Sequence, residues 1–89
     1  MTRKTIYRLY TQDRNKRGIL RLTSQQFESF TLQPILGYYR GKSERSIVLE
    51  IVGAADREVK KLARRIGAMN GQTSVLVLQL RGSAEATRQ

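Results

Sequence analysis

Hydrophobic positions in this chain follow two rhythms. From Ser46 to Val52 they run almost unbroken, with Glu50 the main interruption and the β-branched Ile47, Val48, Ile51 and Val52 among them. That pattern predicts a strand covered on at least one face. Beyond Gly53 the spacing changes: Val59, Leu62, Ala63, Ile66 and Met69 recur at steps of three, one, three and three. This is one apolar stripe on a helix that starts between Gly53 and Asp56, with Asp56 as its N-cap. Asn70 and Gly71 close it, because both tolerate the left-handed conformation that commonly ends helices. Thr73 to Leu80 (TSVLVLQL) then reads as a second buried strand, and the small polar residues after it (GSAEATRQ) as a flexible tail over 82–89.

The first half is less regular. Ile6, Tyr7, Leu9 and Tyr10 form a short strand, followed by the polar segment QDRNKRG. Residues 15–29 then admit two readings. GILRLT is the return strand of a hairpin, or a helix from about Asn15 to Ser29 carries Ile19, Leu20, Leu22, Phe27 and Phe30 toward a core. Gly18 costs the helical reading about 1 kcal/mol relative to alanine. Architecture favours the helix all the same, since one helix alone leaves half of a sheet face wet. Phe30 to Tyr39 (FTLQPILGYY) becomes a strand, with Pro34 placing it at an edge or a bulge.

The resulting order, strand, helix, strand, strand, helix, strand, is that of an α+β ferredoxin-like βαββαβ domain: a four-stranded antiparallel sheet with two helices on one face. The chain has 89 residues, and 1–81 are expected to form one domain. The other face of the sheet is open. It is expected to hold Val48, Val52 and Val75 or Val77, and to offer a surface for a homo-oligomer.

Charge adds a partner to this picture. Seventeen lysines and arginines stand against seven acidic residues, a net +10. The excess leans to the first half, with 10 basic and 3 acidic groups (+7) in residues 1–45 against 7 and 4 (+3) in 46–89. Such an imbalance points to something anionic. There is no cysteine and no histidine, which removes thiol nucleophiles, disulfides, Cys/His zinc sites and imidazole acid–base chemistry. No metal site or cofactor is expected. The N-terminus lacks the apolar run of a secretory signal, and no stretch is apolar for long enough to span a membrane, so a cytoplasmic protein is expected.

Three basic clusters are candidate contact sites. The hairpin joining the middle strands, GYYRGKSERS, is expected to project Arg40, Lys42 and Arg45 as a basic fingertip, with Tyr38 or Tyr39 able to stack on unpaired bases. The competing reading is a solvated turn whose charges discourage edge pairing, and Glu44 within it would repel phosphate. On the second helix Arg57, Lys60, Lys61, Arg64 and Arg65 lie opposite the apolar stripe, spaced to share one cationic face. Arg14, Lys16 and Arg17 follow the first strand. The expectation is a non-enzymatic protein engaging nucleic acid or an acidic groove of a nucleoprotein complex. RNA-recognition-motif chemistry does not fit, because the third strand, SIVLEIV, offers no aromatic residue.

The segments YTQD, QQFESFTL, GYYRGKSERSIVLEI and KLARRIGAMNGQTSVLVLQL resemble small ferredoxin-like proteins of phages, plasmids and other mobile elements, over roughly Ile6 to Leu80. The resemblance implies the fold, and a role as a mobile-element regulator or an inhibitor of host defence of the anti-CRISPR kind. It brings no site residues with it. Two alternatives stand beside it. One is a PII-like oligomeric sensor that holds an anionic small ligand between subunits through basic loops, with RGKSER as the clamp. The other is a metal-dependent nuclease subunit resembling those of CRISPR adaptation, with Asp13 after the first strand, although no two acidic residues fall at a spacing that promises a metal pair.

Overall fold

The computed structural model describes the backbone of residues 2–84 and the side chains of residues 4–81. Six elements follow one another: β1 (Thr2–Gln12), α1 (Lys16–Gln26), β2 (Thr31–Tyr39), β3 (Lys42–Val52), α2 (Asp56–Asn70) and β4 (Leu76–Ala84). The sheet order is β2-β3-β1-β4 and every neighbouring pair is antiparallel. This is the expected ferredoxin-like arrangement. No described helix is long and apolar enough to cross a membrane.

Alternation along the two central strands sets the inner face. Tyr7, Leu9 and Thr11 of β1 are buried beside Ile47, Leu49 and Ile51 of β3. On this layer lie Ile19 of α1 and Val59, Leu62, Ala63 and Ile66 of α2, all buried. The α2 stripe is the one read from the sequence, but the cap differs. Ala55 occupies the N-cap position without a side-chain bond, and Asp56 is the first helical residue. There it complements the helix dipole and pairs with Lys60 at 2.9 Å. At the other end Gly71 turns left-handed (φ 67°), and the Gln72 N–H closes onto the Gly67 carbonyl at 2.9 Å.

Residues 16–26 are helix, which settles the ambiguity of the first half. Asn15 caps α1 from a left-handed conformation (φ 54°), its Oδ1 accepting the Gly18 N–H at 3.1 Å. Gly18 has a role beyond propensity. A Cβ there would meet the Asn15 amide group and come within 2.7 Å of Met69 Sδ, so glycine is what lets α1 sit against α2. The helix stops at Gln26, before Ser29, and Phe27 and Phe30 reach the core from the connection to β2. β2 is an edge strand, as Pro34 requires.

Several boundaries depart from expectation, β1 among them, which runs from Thr2 to Gln12. β3 starts at Lys42 rather than Ser46, which leaves Arg40 and Gly41 as the whole turn. Both have positive φ (51° and 76°), the signature of a type I′ hairpin. β4 starts at Leu76 rather than Thr73 and continues through Ala84, opposite Thr2, so the first residues assigned to the tail are strand. Residues 85–89 lie outside the described residues. Finally, Val75 and Val77 pack on the core. The open face carries Leu76, Leu78 and Leu80 instead, together with Val48 and Val52.

Candidate functional site

β1 pairs with β3 only as far as Gln12 opposite Ser46, so the β2–β3 hairpin continues beyond the sheet as a two-stranded arm. Tyr38 and Tyr39 are both exposed on it, at 71% and 67%. Alternation separates its cations. Lys42 pairs with Tyr39 on the side of the open face, whereas Arg45, two residues before buried Ile47, falls on the helix side opposite Leu36. Arg40 sits at the tip, its guanidinium 5.2 Å from the centre of the Tyr39 ring. The three charges expected to converge as a fingertip therefore diverge.

The remaining cations are divided between structure and solvent. Lys60 is held by Asp56. Arg65 clamps the two helices together, donating to Gln26 Oε1 at 3.0 Å and Gln25 Oε1 at 2.9 Å. Arg14 is tied to the end of α2 through Asn70. Arg57, Lys61 and Arg64 are exposed on α2, and Lys16 and Arg17 on α1. Arg21, not singled out in the sequence, is also exposed on α1.

Three concave regions lie among the described residues. The first is a cleft of about 420 Å³ on the open sheet face, where Tyr10, Gln33, Ile35 and Val48 surround an ion pair between Arg8 Nε and Glu50 Oε2 at 2.8 Å. The hydrogen bond and charge of Glu50 raise the Arg8 pKa above its ordinary value. Apolar residues border the pair: Val52, Leu76, Leu78 and Leu80 are exposed at 46%, 63%, 39% and 36%.

The second is a polar cleft of about 280 Å³ at the end of β1, lined by Gln12, Arg14, Gly71, Gln72, Thr73 and Ser74. It forms because Thr11 Oγ1 donates to Gln72 Oε1 at 2.6 Å, drawing the α2–β4 connection against β1. Gln72, Thr73 and Ser74 also wall a groove of about 400 Å³ beside Ala63, Gly67 and Ala68 of α2. Sequence reasoning picked out only Arg14 here.

Among the described residues no group of three His, Cys, Asp or Glu could hold a metal ion, and Asp13 is exposed.

No family model matches the chain, and no curated protein matches it in sequence. Solved structures do match in fold. A DUF3240-family protein from Shewanella baltica aligns over 100% of both chains at 16% identity with a TM-score of 0.69. The divalent cation tolerance protein CutA1 from Thermus thermophilus aligns over 94% of this chain and 87% of its own, at 13% identity and TM-score 0.60. The chain shares its fold with the CutA proteins. A phage SAM lyase in complex with S-methyl-5'-thioadenosine is similar over 96% and 93% of the two chains, at 15% identity and TM-score 0.55. These identities speak for the fold alone.

The comparisons correct the functional expectation. The similar chains are cation-tolerance proteins, a DUF3240 protein and a phage SAM lyase, with no nucleic-acid-binding protein among those described above. The dispersal of Arg40, Lys42 and Arg45 and the structural roles of Arg14, Lys60 and Arg65 agree with that correction. Neither a nucleic-acid or nucleoprotein partner nor a nuclease subunit is retained.

Proposed function

We propose that this chain is the protomer of a PII-like oligomeric sensor, non-enzymatic, that closes its open sheet face against further copies of itself and responds to an anionic small ligand. The observation that carries the reading is the asymmetry of the sheet. Two helices cover one face, while the other presents Val52, Leu76, Leu78 and Leu80 to solvent around the Arg8–Glu50 pair. A contiguous exposed apolar surface rimmed by polar groups is what an association surface looks like. The pair is already formed within one protomer, so burial at an interface would not strand a lone charge.

The charge balance supports an anionic ligand, and the absence of histidine and cysteine argues against carrying the cation role of the CutA proteins over to this chain. The phage lyase holds a nucleoside thioether on the same fold, which supports a ligand of that size. The test is light scattering across a concentration range, with thermal unfolding in the presence and absence of ATP. A multimer whose Tm rises with ATP is the expected result. A monomer with an unmoved Tm would contradict the reading.

A further inference from the structure

We infer that the polar cleft at the end of β1 is the anion site of this protein, and that its ligand is a phosphomonoester carrying an N–H or O–H donor of its own. The inference rests on the sensor reading and places its site away from the β2–β3 hairpin.

Arg14 uses one N–H, from Nη1, to satisfy the Asn70 carbonyl at 3.3 Å, and its guanidinium has further donors in a planar fork that suits oxyanions. The carboxamide of Gln72 accepts from Thr11 through Oε1, which turns its NH₂ group into a donor for whatever else approaches. Thr73 and Ser74 are exposed and add two hydroxyls. No aspartate or glutamate lines the cleft. Two C-terminal carbonyls of α2 nearby are also quenched: Gly67 O accepts from Gln72 N–H and Asn70 O accepts from Arg14. A rim so rich in donors matches a group with several acceptor oxygens and negative charge, as a phosphate monoester has.

One group breaks the pattern and sets the second requirement. Gln12 Oε1 is shut off from solvent and has no hydrogen-bond partner among the described residues. A buried acceptor left unpaired costs about 1–3 kcal/mol. Gln12 lines the cleft, so a ligand seated there is the group within its reach. What would satisfy it is a donor, such as the amino group of a nucleobase or a sugar hydroxyl. Inorganic anions that bring only acceptors at neutral pH leave it unpaired.

Isothermal titration of the intact protein with AMP, ribose 5-phosphate and sulfate tests this, with Gln12→Leu, Arg14→Gln and Ser74→Ala as variants and light scattering on every sample. At least one phosphomonoester is expected to bind more tightly than sulfate, with at least a tenfold loss in Arg14→Gln and in Gln12→Leu and a smaller loss in Ser74→Ala. Binding of AMP alone assigns the donor to the base. Equal binding of ribose 5-phosphate assigns it to the sugar. If Arg14→Gln does not fold, Gln12→Leu and Ser74→Ala carry the comparison. Absence of binding, binding no tighter than that of sulfate, or binding indifferent to these substitutions overturns the site. Because assembly is read separately, a multimer that binds no phosphomonoester sinks this inference and leaves the assembly standing. A monomer that binds through these residues does the reverse.

Discussion

Arg14 and Asn70 hold each other across the join of the two helices: Arg14 Nη1 donates to the Asn70 carbonyl at 3.3 Å, and Asn70 Nδ2 donates to the Arg14 carbonyl at 3.1 Å. The exchange fixes the start of α1 to the end of α2 and holds Arg14 at the rim of the polar cleft. Asn70→Ala removes the bond that Asn70 Nδ2 donates and keeps the one that Arg14 donates. The expected effect is a loss of about 1 kcal/mol in urea unfolding, with the fold retained. Unchanged stability would mean that the exchange does not hold the join.

Gly18 gives the sharpest packing prediction. Its missing side chain is where the Asn15 amide and Met69 Sδ lie. Gly18→Ala should therefore destabilise by about 1–3 kcal/mol through overpacking, although propensity alone favours alanine in a helix. Denaturant unfolding decides between them, since a more stable variant would show that propensity wins.

Arg40 sits in a left-handed conformation (φ 51°) at the first position of a type I′ turn, where asparagine is preferred. Arg40→Asn should raise stability by up to about 1 kcal/mol, even after losing the contact of the guanidinium with Tyr39. A lower melting temperature would mean that the stacking contact outweighs the turn.

Tyr7 predicts behaviour at alkaline pH. Burial raises its pKa above the ordinary value of 10.0, and the charge of Asp56 and a hydrogen bond to it, 3.4 Å long, act in the same direction. The folded state thus keeps a proton that the unfolded chain releases, and the stabilisation is complete below the unfolded pKa. It is lost as pH rises from about 10 through the higher folded value. Tyr7→Phe should flatten that part of the stability–pH curve in urea unfolding from pH 9 to 11.5. An identical alkaline limb in both proteins would show that Tyr7 contributes nothing to it.

Some of this was readable in the sequence because burial wrote it there. Ile47, Leu49 and Ile51 of the apolar run and the stripe from Val59 to Met69 face one core, and their periods named strand and helix correctly. The arm was not readable, because Lys42 to Arg45 bury nothing and so carry no hydrophobic period. Arg40-Gly41 also lacks the asparagine that announces a type I′ turn. The face assignment of β4 failed for the opposite reason. Val75, Leu76, Val77 and Leu78 are all apolar, so alternation gives no parity, and pairing with β1 (Leu9 opposite Val77) decides it. The polar cleft joins Thr11 to Gln72 across 61 positions, a proximity that only the folded sheet creates. Its one local clue was the polar triplet Gln72-Thr73-Ser74 directly after the Asn70-Gly71 helix stop.

Sedimentation equilibrium on the wild type and Leu78→Glu decides whether the open sheet face is an interface between copies of this chain. Leu78 lies on that face beside Arg8, away from the core and from the polar cleft. A multimeric wild type and a folded, monomeric variant are expected, because a carboxylate in the middle of an apolar contact is costly to bury. A wild type that stays monomeric at every concentration, or a Leu78→Glu protein with undiminished mass, would contradict it.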